Sequence, residues 1–335
     1  GPGDGQFAPL MNDEGKTQPD LTLRGLRVFV ALEEAGSVIG AATRIGGSPS
    51  GVSQHITALE AAVGARLFDR KAKPVTLTPA GQVLRRHAHK LLAALSEARA
   101  DLAEISLASL PQLNLAIIDD LDASLTPVLV SALQSRMSRC FVHAFSGRSD
   151  HVIDRLLARE ADIGVSAMVP PDSSAFRVLP ILCEPFVLVA GKGSVRGDVR
   201  AALDRLPFVQ YSESLPIGQR IARHLARVRL NPDRRFALEA TRSVLAMVVQ
   251  TGGWTITTPL NLMDAERFLP DLEVMPLPFA GDVRRVHLIA RVDELGRLPE
   301  ELAHDCRALI RSRLVPRFDA IAPALAGAIQ VADEE

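Results

Sequence analysis

Cysteine is scarce in this chain of 335 residues: only Cys140, Cys183 and Cys306 occur. They are odd in number, widely spaced and form no C-x-x-C pair. That argues against a disulfide scaffold or a structural zinc site and fits a reducing compartment. Long apolar runs are missing too. None approaches the roughly 18 residues that a membrane-spanning helix needs, so no membrane partner is expected. No basic stretch leads into an apolar core near the amino-terminus, so no export signal is expected and the cytoplasm is the expected location. Enzyme signatures are also absent: there is no H-E-x-x-H, G-x-S-x-G, P-loop or Rossmann glycine fingerprint. Gly47-Ser48-Pro49-Ser50-Gly51 only resembles a nucleophile elbow, with its serines misplaced relative to the glycines. The histidines are scattered, and His87 and His89 would point to different sides of a helix, a poor metal pair. No catalytic residue, metal ligand or cofactor is therefore expected.

What remains is globular: 47% hydrophobic and 23% charged, long enough for two or three domains at about 150 residues each. Net charge is −1, from 38 basic and 39 acidic residues, but the mean hides an asymmetry. Residues 44–90 hold eight Lys or Arg against two acids. A compact basic segment on a slightly acidic body suits a modular polyanion binder, although a solvated basic face has the same composition.

Residues 1–20 are rich in Gly, Pro and Asp without periodicity, the pattern of a disordered leader. A first helix is expected from Leu23 to near Gly36, with Leu26, Phe29 and Val30 on its apolar face. Ser37 can cap a second, Val38–Ile45, which Gly46-Gly47 ends. Ser48 caps a third, with Pro49 at its first position. There Val52, Ile56 and Leu59 fall on one buried stripe. The opposite face carries Ser50, Ser53, Gln54 and Thr57, short hydrogen-bonding side chains suited to base edges. Two helices joined by a glycine turn, the second with such a face, read as helix-turn-helix. Strand-like runs around Arg70, Lys71 and Lys73 form a hairpin with a basic tip, a wing able to approach phosphates. Thr78-Pro79 opens a long helix with Leu84, Ala88, Leu91, Leu95, Ala98, Leu102 and Ile105 spaced 4-3-4-3-4-3. That is a dimerising heptad seam ending near Leu110-Pro111.

From Leu23-Arg24-Gly25-Leu26-Arg27-Val28-Phe29, through Gly36-Ser37, Ala41-Ala42, Ser48 to Glu60 and Gly64–Arg70, to Leu77-Thr78-Pro79-Ala80-Gly81, the chain resembles the LysR-type transcriptional regulators. The resemblance implies a winged helix-turn-helix over 21–78, a dimerisation linker helix over 79–110 and a two-lobed α/β effector domain of the periplasmic-binding-protein type over 112–318. Lobe I would span about 112–183 and 284–318, and lobe II about 184–283, with a tail over 319–335 forming an extra helix or a disordered end. Implied partners are double-stranded operator DNA, a small-molecule effector and further copies of the chain, as a homodimer and by family a homotetramer. The sequence departs from the family at Pro49-Ser50, where Gln-Pro is usual, at Gln54, where Arg is common, and at Gly252-Gly253-Trp254, where Gly-x-Gly is common.

The later sequence fits independently. Leu113–Ile118, a turn at Asp119–Ser124, a helix from Leu125, a strand at Cys140–Ala144, a helix from Ser149 and a strand at Ala161–Val165 alternate as βαβ, hence a parallel sheet. Matching by motif puts Asp120, Ser124, Ser149, Tyr211, Ser212, Thr241 and Arg242 on the cleft, mostly at helix amino-termini that favour anions. Asp119, Asp120 and Asp122 would place three acids in one rim loop, favouring a hydroxylated or amino-bearing effector. A plainer possibility makes Asp119 and Asp122 solvated charges, and Ser149 and Thr241 ordinary caps. The chain could also be a redox- or metal-sensing regulator of this fold using Cys140 or Cys183, or a solute-binding protein. The cysteines' apolar settings argue against reactive thiols.

Overall fold

The computed structural model describes residues 20–333, and the leader expectation for 1–19 lies outside it. Two compact units divide between Asp101 and Leu102. Among the described residues no helix is long and apolar enough to cross a membrane.

The first unit holds α1 (Leu23–Ala35), α2 (Val38–Ile45), α3 (Pro49–Val63), β1 (Phe68–Asp69), β2 (Thr76–Leu77) and the start of α4 (Pro79–Leu107). Local chemistry fixes the boundaries. Thr22, Ser37 and Ser48 accept hydrogen bonds from the backbone N–H three residues on, each cap being worth about 1 kcal/mol. Gly36 and Gly46 end α1 and α2 at φ of 71° and 66°, where a Cβ would be strained. Val28, Phe29, Ala41, Val52, Ile56 and Phe68 fill the core between the helices and the hairpin. The Thr78 hydroxyl donates to the Arg66 carbonyl at 2.6 Å and accepts from Gly81 N at 3.1 Å, tying the hairpin to α4.

Helix α4 corrects one expectation. Ala88 is fully buried in this same core and Leu84 packs against it, so within one chain Ala88 is covered and Leu84 partly so. The open seam begins later. Leu91, Leu102 and Ile105 are 51%, 65% and 74% exposed.

The second unit has two lobes. Lobe I begins with β3 (Gln112–Ile118), α5 (Asp119–Arg136), β4 (Phe141–Gly147), α6 (Ser149–Leu157), β5 (Ile163–Ser166) and β6 (Phe176–Pro185). The chain then crosses into β7 (Val187–Gly191), α7 (Val199–Arg205), β8 (Gln210–Tyr211), α8 (Pro216–Arg227), β9 (Ala237–Leu238), α9 (Thr241–Thr251), β10 (Trp254–Thr257), α10 (Pro259–Asp264) and β11 (Leu272–Met275). It returns through β12 (Val283–Arg291) to α11 (Leu298–Leu309), a π-helical segment Ile310–Leu314, α12 (Val315–Ile321) and β13 (Gln330–Val331). Lobe I is a six-stranded sheet of order β13-β6-β12-β5-β3-β4. Strand β3 pairs in parallel with β4 and β5, as the βαβ alternation requires, while β12 is antiparallel to both β5 and β6. In lobe II, β7 lies between β10 and β11, antiparallel to each.

Three local expectations change. The turn expected at Asp119–Ser124 is the first turn of α5, so Asp119, Asp120 and Asp122 sit at a helix amino-terminus, where acids complement the helix dipole. Their i, i+1, i+3 placement with Leu121 and Leu125 buried is helical spacing, and a strand running straight into a helix needs no separate loop. Ser149 is the first residue of α6 and does not cap it. The tail is neither a lone helix nor disordered over its described part: Val331 pairs with Leu182, extending the sheet beyond β6.

The wall of lobe II depends on a close approach. A Cβ on Gly218, in the first turn of α8, would lie 1.9 Å from the Ser212 carbonyl oxygen. Gly218→Ala is expected to push α8 away and cost about 1–3 kcal/mol. Trp254, the only tryptophan and fully buried in lobe II, gives the readout. Its fluorescence should show a lower denaturation midpoint; an unchanged midpoint would refute the close contact.

Candidate functional site

Two surfaces carry the sequence-derived sites. On the first, Ser50, Ser53, Gln54 and Thr57 are all exposed on α3, opposite buried Val52, Ile56 and Leu59. Their availability differs. Ser48 is engaged as the cap of α3 and lies 3.2 Å from the Ser50 hydroxyl. Thr57 donates to the Ser53 carbonyl at 2.9 Å, so its donor is used within the helix. Pro49 has no N–H to offer, and Gln54 keeps both donors and acceptor. On the hairpin, Arg70, Lys71 and Lys73 are exposed. Arg70 makes a 3.4 Å pair with Glu60, and its exposure makes that pair weak and readily exchanged for phosphate.

The second surface is a cleft of about 700 Å³ between the lobes. Asp120, Ser149, Tyr211, Thr241 and Arg242 line it. Ser212 does not; its hydroxyl is 2.9 Å from that of Ser214. Ser124 lies in an adjoining pocket, donating to the Leu121 carbonyl. The Ser149 hydroxyl accepts from Ala167 N at 3.1 Å, linking the start of α6 to the end of β5. Tyr211 sits 2.9 Å from the Thr241 hydroxyl and 2.8 Å from that of Thr257. Thr241 in turn donates to the Asn261 side-chain oxygen at 3.2 Å. Burial pushes the Tyr211 phenol up to about 12, so it stays neutral and works as a hydrogen-bonding group.

Residue-type reasoning missed the charged floor. Arg284 on β12 donates to Asp120 at 2.6 Å and to Glu184 on β6 at 3.0 Å. Glu184 is fully buried and also accepts from Leu260 N, in the first turn of α10, at 3.0 Å. Two carboxylates share one guanidinium, so one negative charge is uncompensated in a poorly solvated place. Burial is the largest effect on Glu184 and outweighs the attraction of Arg284, lifting it to about 7. The available signal was charge inside two strand-like runs, one acid in Leu182-Cys183-Glu184-Pro185 and two arginines in Val283-Arg284-Arg285-Val286. Arg148, Arg220, Arg223 and Asp264 also line the cleft and were not anticipated.

The direction at Glu184 fixes a pH dependence. Its folded value is above its ordinary 4.5, so the folded state holds the proton more tightly than the unfolded one. This contribution to stability is complete below about pH 4.5 and is lost as pH rises through about 7. Glu184→Gln, which keeps an acceptor for Arg284, should flatten that stretch of the stability–pH curve. Denaturation of both proteins at stepped pH checks it; an equal slope in the variant would refute the assignment.

Comparison with known proteins adds the family. The model of the bacterial regulatory helix-turn-helix protein, LysR family, matches residues 23–82, and that of the LysR substrate binding domain matches 109–313. A probable hydrogen peroxide-inducible genes activator of Mycobacterium xenopi is 30% identical over 172 residues, 51% of this chain and 90% of that protein. One of the same description from Mycobacterium avium is 28% identical over 278 residues, 81% of this chain and 88% of that protein. A mutant OxyR of Corynebacterium glutamicum, solved with hydrogen peroxide bound, shares the fold at a TM-score of 0.52. It is 22% identical and covers 92% of this chain and 96% of its own. With a helix-turn-helix model on the first unit and a substrate-binding model across most of the second, the chain belongs to the LysR family of transcriptional regulators.

Proposed function

We propose that this regulator reads its operator with Ser50, Ser53 and Gln54 on α3 and holds the duplex with Arg70, Lys71 and Lys73 on the hairpin. A small molecule between the two lobes modulates it. The exposed, uncharged, hydrogen-bonding face of α3 carries the reading. Such side chains discriminate base edges in the major groove, whereas the hairpin cations attract any phosphate backbone. Gln54 can make a bidentate contact with adenine. The setting this implies is the cytoplasm, and the chain has no catalytic role.

The exposed apolar edge of α4 supports self-association. Burying a fully exposed Leu or Ile is worth about 1.5–3 kcal/mol, and Leu91, Leu102 and Ile105, already partly covered, would each contribute a fraction of that if a second copy covered them. Dimers joined through that seam can pair again into tetramers.

Redox sensing would need a reactive thiol. None of the three cysteines lines the cleft. Cys140 and Cys306 are buried, and burial pushes the Cys306 thiol up to about 12. These settings favour reversible, non-covalent binding of the effector.

Two experiments test this reading. Gln54→Ala should cost about 1–3 kcal/mol on the cognate duplex and relax preference at one base pair per half-site. Lys71→Ala should weaken cognate and scrambled duplexes alike and lower the salt slope by about 1 per subunit in contact. Fluorescence titrations across salt concentrations distinguish them, and the reverse pattern would show the two elements exchanged. For assembly, Leu91→Asp with Leu95→Asp should lower the sedimenting mass while Trp254 stays buried, because an unpaired carboxylate in the seam is costly. An unchanged mass would refute the seam.

A further inference from the structure

Lobe II holds a second cavity, of about 470 Å³, and no residue lines both it and the cleft between the lobes. Strand β8 and helix α8 form the partition. Successive residues of a strand point to opposite faces, and here Tyr211 lines the cleft while Gln210 lines the second cavity. Helix α8 divides the same way. Ile217, Arg220 and Arg223 line the cleft, whereas Ile221, Leu225 and Ala226 line the cavity behind it.

The cavity is walled by apolar side chains, Phe208, Leu230 and Pro232 completing the lining that α8 begins. Against them stands one buried polar group. Gln210 is only 8% exposed, yet its side-chain amide makes no hydrogen bond among the described residues. An amide carries two donors and an acceptor, and leaving them unmatched in a poorly solvated place costs free energy. Apolar walls with a single convergent polar group, at this volume, are the composition of a small-molecule pocket.

Charge lies at the exposed rim and is answered there. Arg234 pairs with Glu213 at 2.7 Å, and both are exposed. Arg229 forms no ion pair among the described residues, but it is exposed, so water serves its charge and salt screens its pull on an anion.

We propose that this cavity is a second ligand site, taking a small neutral molecule with an apolar body and a carboxamide group that pairs with Gln210. A carboxamide returns both a donor and an acceptor to the Gln210 side chain. A carboxylate would answer its donors but set oxygen against oxygen at its acceptor. An ammonium would find Glu213 already held by Arg234. The site does not depend on what the cleft binds, although an occupant would lean on the two elements that carry Tyr211 and Arg220.

Trp254 reports on the cavity. Its ring lies 4.5 Å from that of Phe208, and it is the only tryptophan. Probes on one skeleton separate the chemistries: hydrocinnamamide, hydrocinnamate and phenylpropylamine. Each is titrated into the full-length protein while Trp254 emission and the thermal midpoint are followed, since a ligand that binds only the folded state raises the midpoint. Hydrocinnamamide should change the emission and raise the midpoint most. Gln210→Leu keeps an apolar side chain there and should weaken hydrocinnamamide about tenfold, the loss of two neutral hydrogen bonds. Free Gln210→Leu should melt no lower than the parent, because no protein partner is lost. Ala226→Phe should block the probe by filling its space, and Ser149→Ala, in the cleft, should leave its binding unchanged. Silence with hydrocinnamamide, a lower melting point of free Gln210→Leu, a response retained in both cavity variants, or one lost in Ser149→Ala overturns the site. An equal or stronger response to hydrocinnamate or phenylpropylamine overturns the carboxamide pairing, as does a response that Ala226→Phe abolishes and Gln210→Leu leaves intact.

Discussion

The lobes of the second unit are joined by a shared guanidinium. Arg284 and Glu184 are register partners on β12 and β6, the two strands by which the chain enters and leaves lobe II. Their side chains meet at 3.0 Å, and Asp120 closes on the same Arg284 nitrogen from α5. Glu184 also takes the N–H of Leu260 at the start of α10 in lobe II. A buried ion pair adds little net stability, since desolvation offsets attraction, but removing one partner strands the other. The cluster therefore fixes geometry. It sets where both crossover strands lie, and with them the angle at which α5 faces α9 and α10 across the cleft.

The first unit works differently. Its helices are set by caps and glycines, and its core by apolar contacts. Among the described residues, all eleven buried polar or charged side chains lie in the second unit. The division matches the two tasks. A module that reads a groove is best rigid, whereas one that responds to a ligand needs polar groups that can exchange partners.

Much of this was legible in the chain. The caps at Ser37 and Ser48, the stripe of Val52, Ile56 and Leu59, and the βαβ alternation are local patterns, and each has its own chemical signature. The extent of β6, the paired tail at Gln330–Val331 and the Arg284 cluster were not. Each depends on partners that are distant in sequence: Arg284 meets Asp120 across 164 positions. Periodicity reports which face of an element is buried, not what it is buried against. Ser149 shows the limit from the other side. It stands where a cap would, yet its hydroxyl serves the N–H of Ala167, just past the end of β5. Leu84 and Ala88 continue a heptad, yet the hairpin core claims them first.

Lobe I is discontinuous, and β12 lies inside its sheet, between β5 and β6. Every residue of lobe II is synthesised before that strand. Until it emerges, β5 and β6 each carry an unsatisfied edge with apolar side chains such as Val165, Ile181 and Leu182 beside it. Open strand edges are templates for wrong pairing, and long-range closure is slow. The architecture that puts a cleft between the lobes thus also creates an interval during synthesis when the chain is exposed to misassembly. Folding of lobe II around Trp254, complete within one stretch of chain, would shorten that interval by holding the two crossover strands close together.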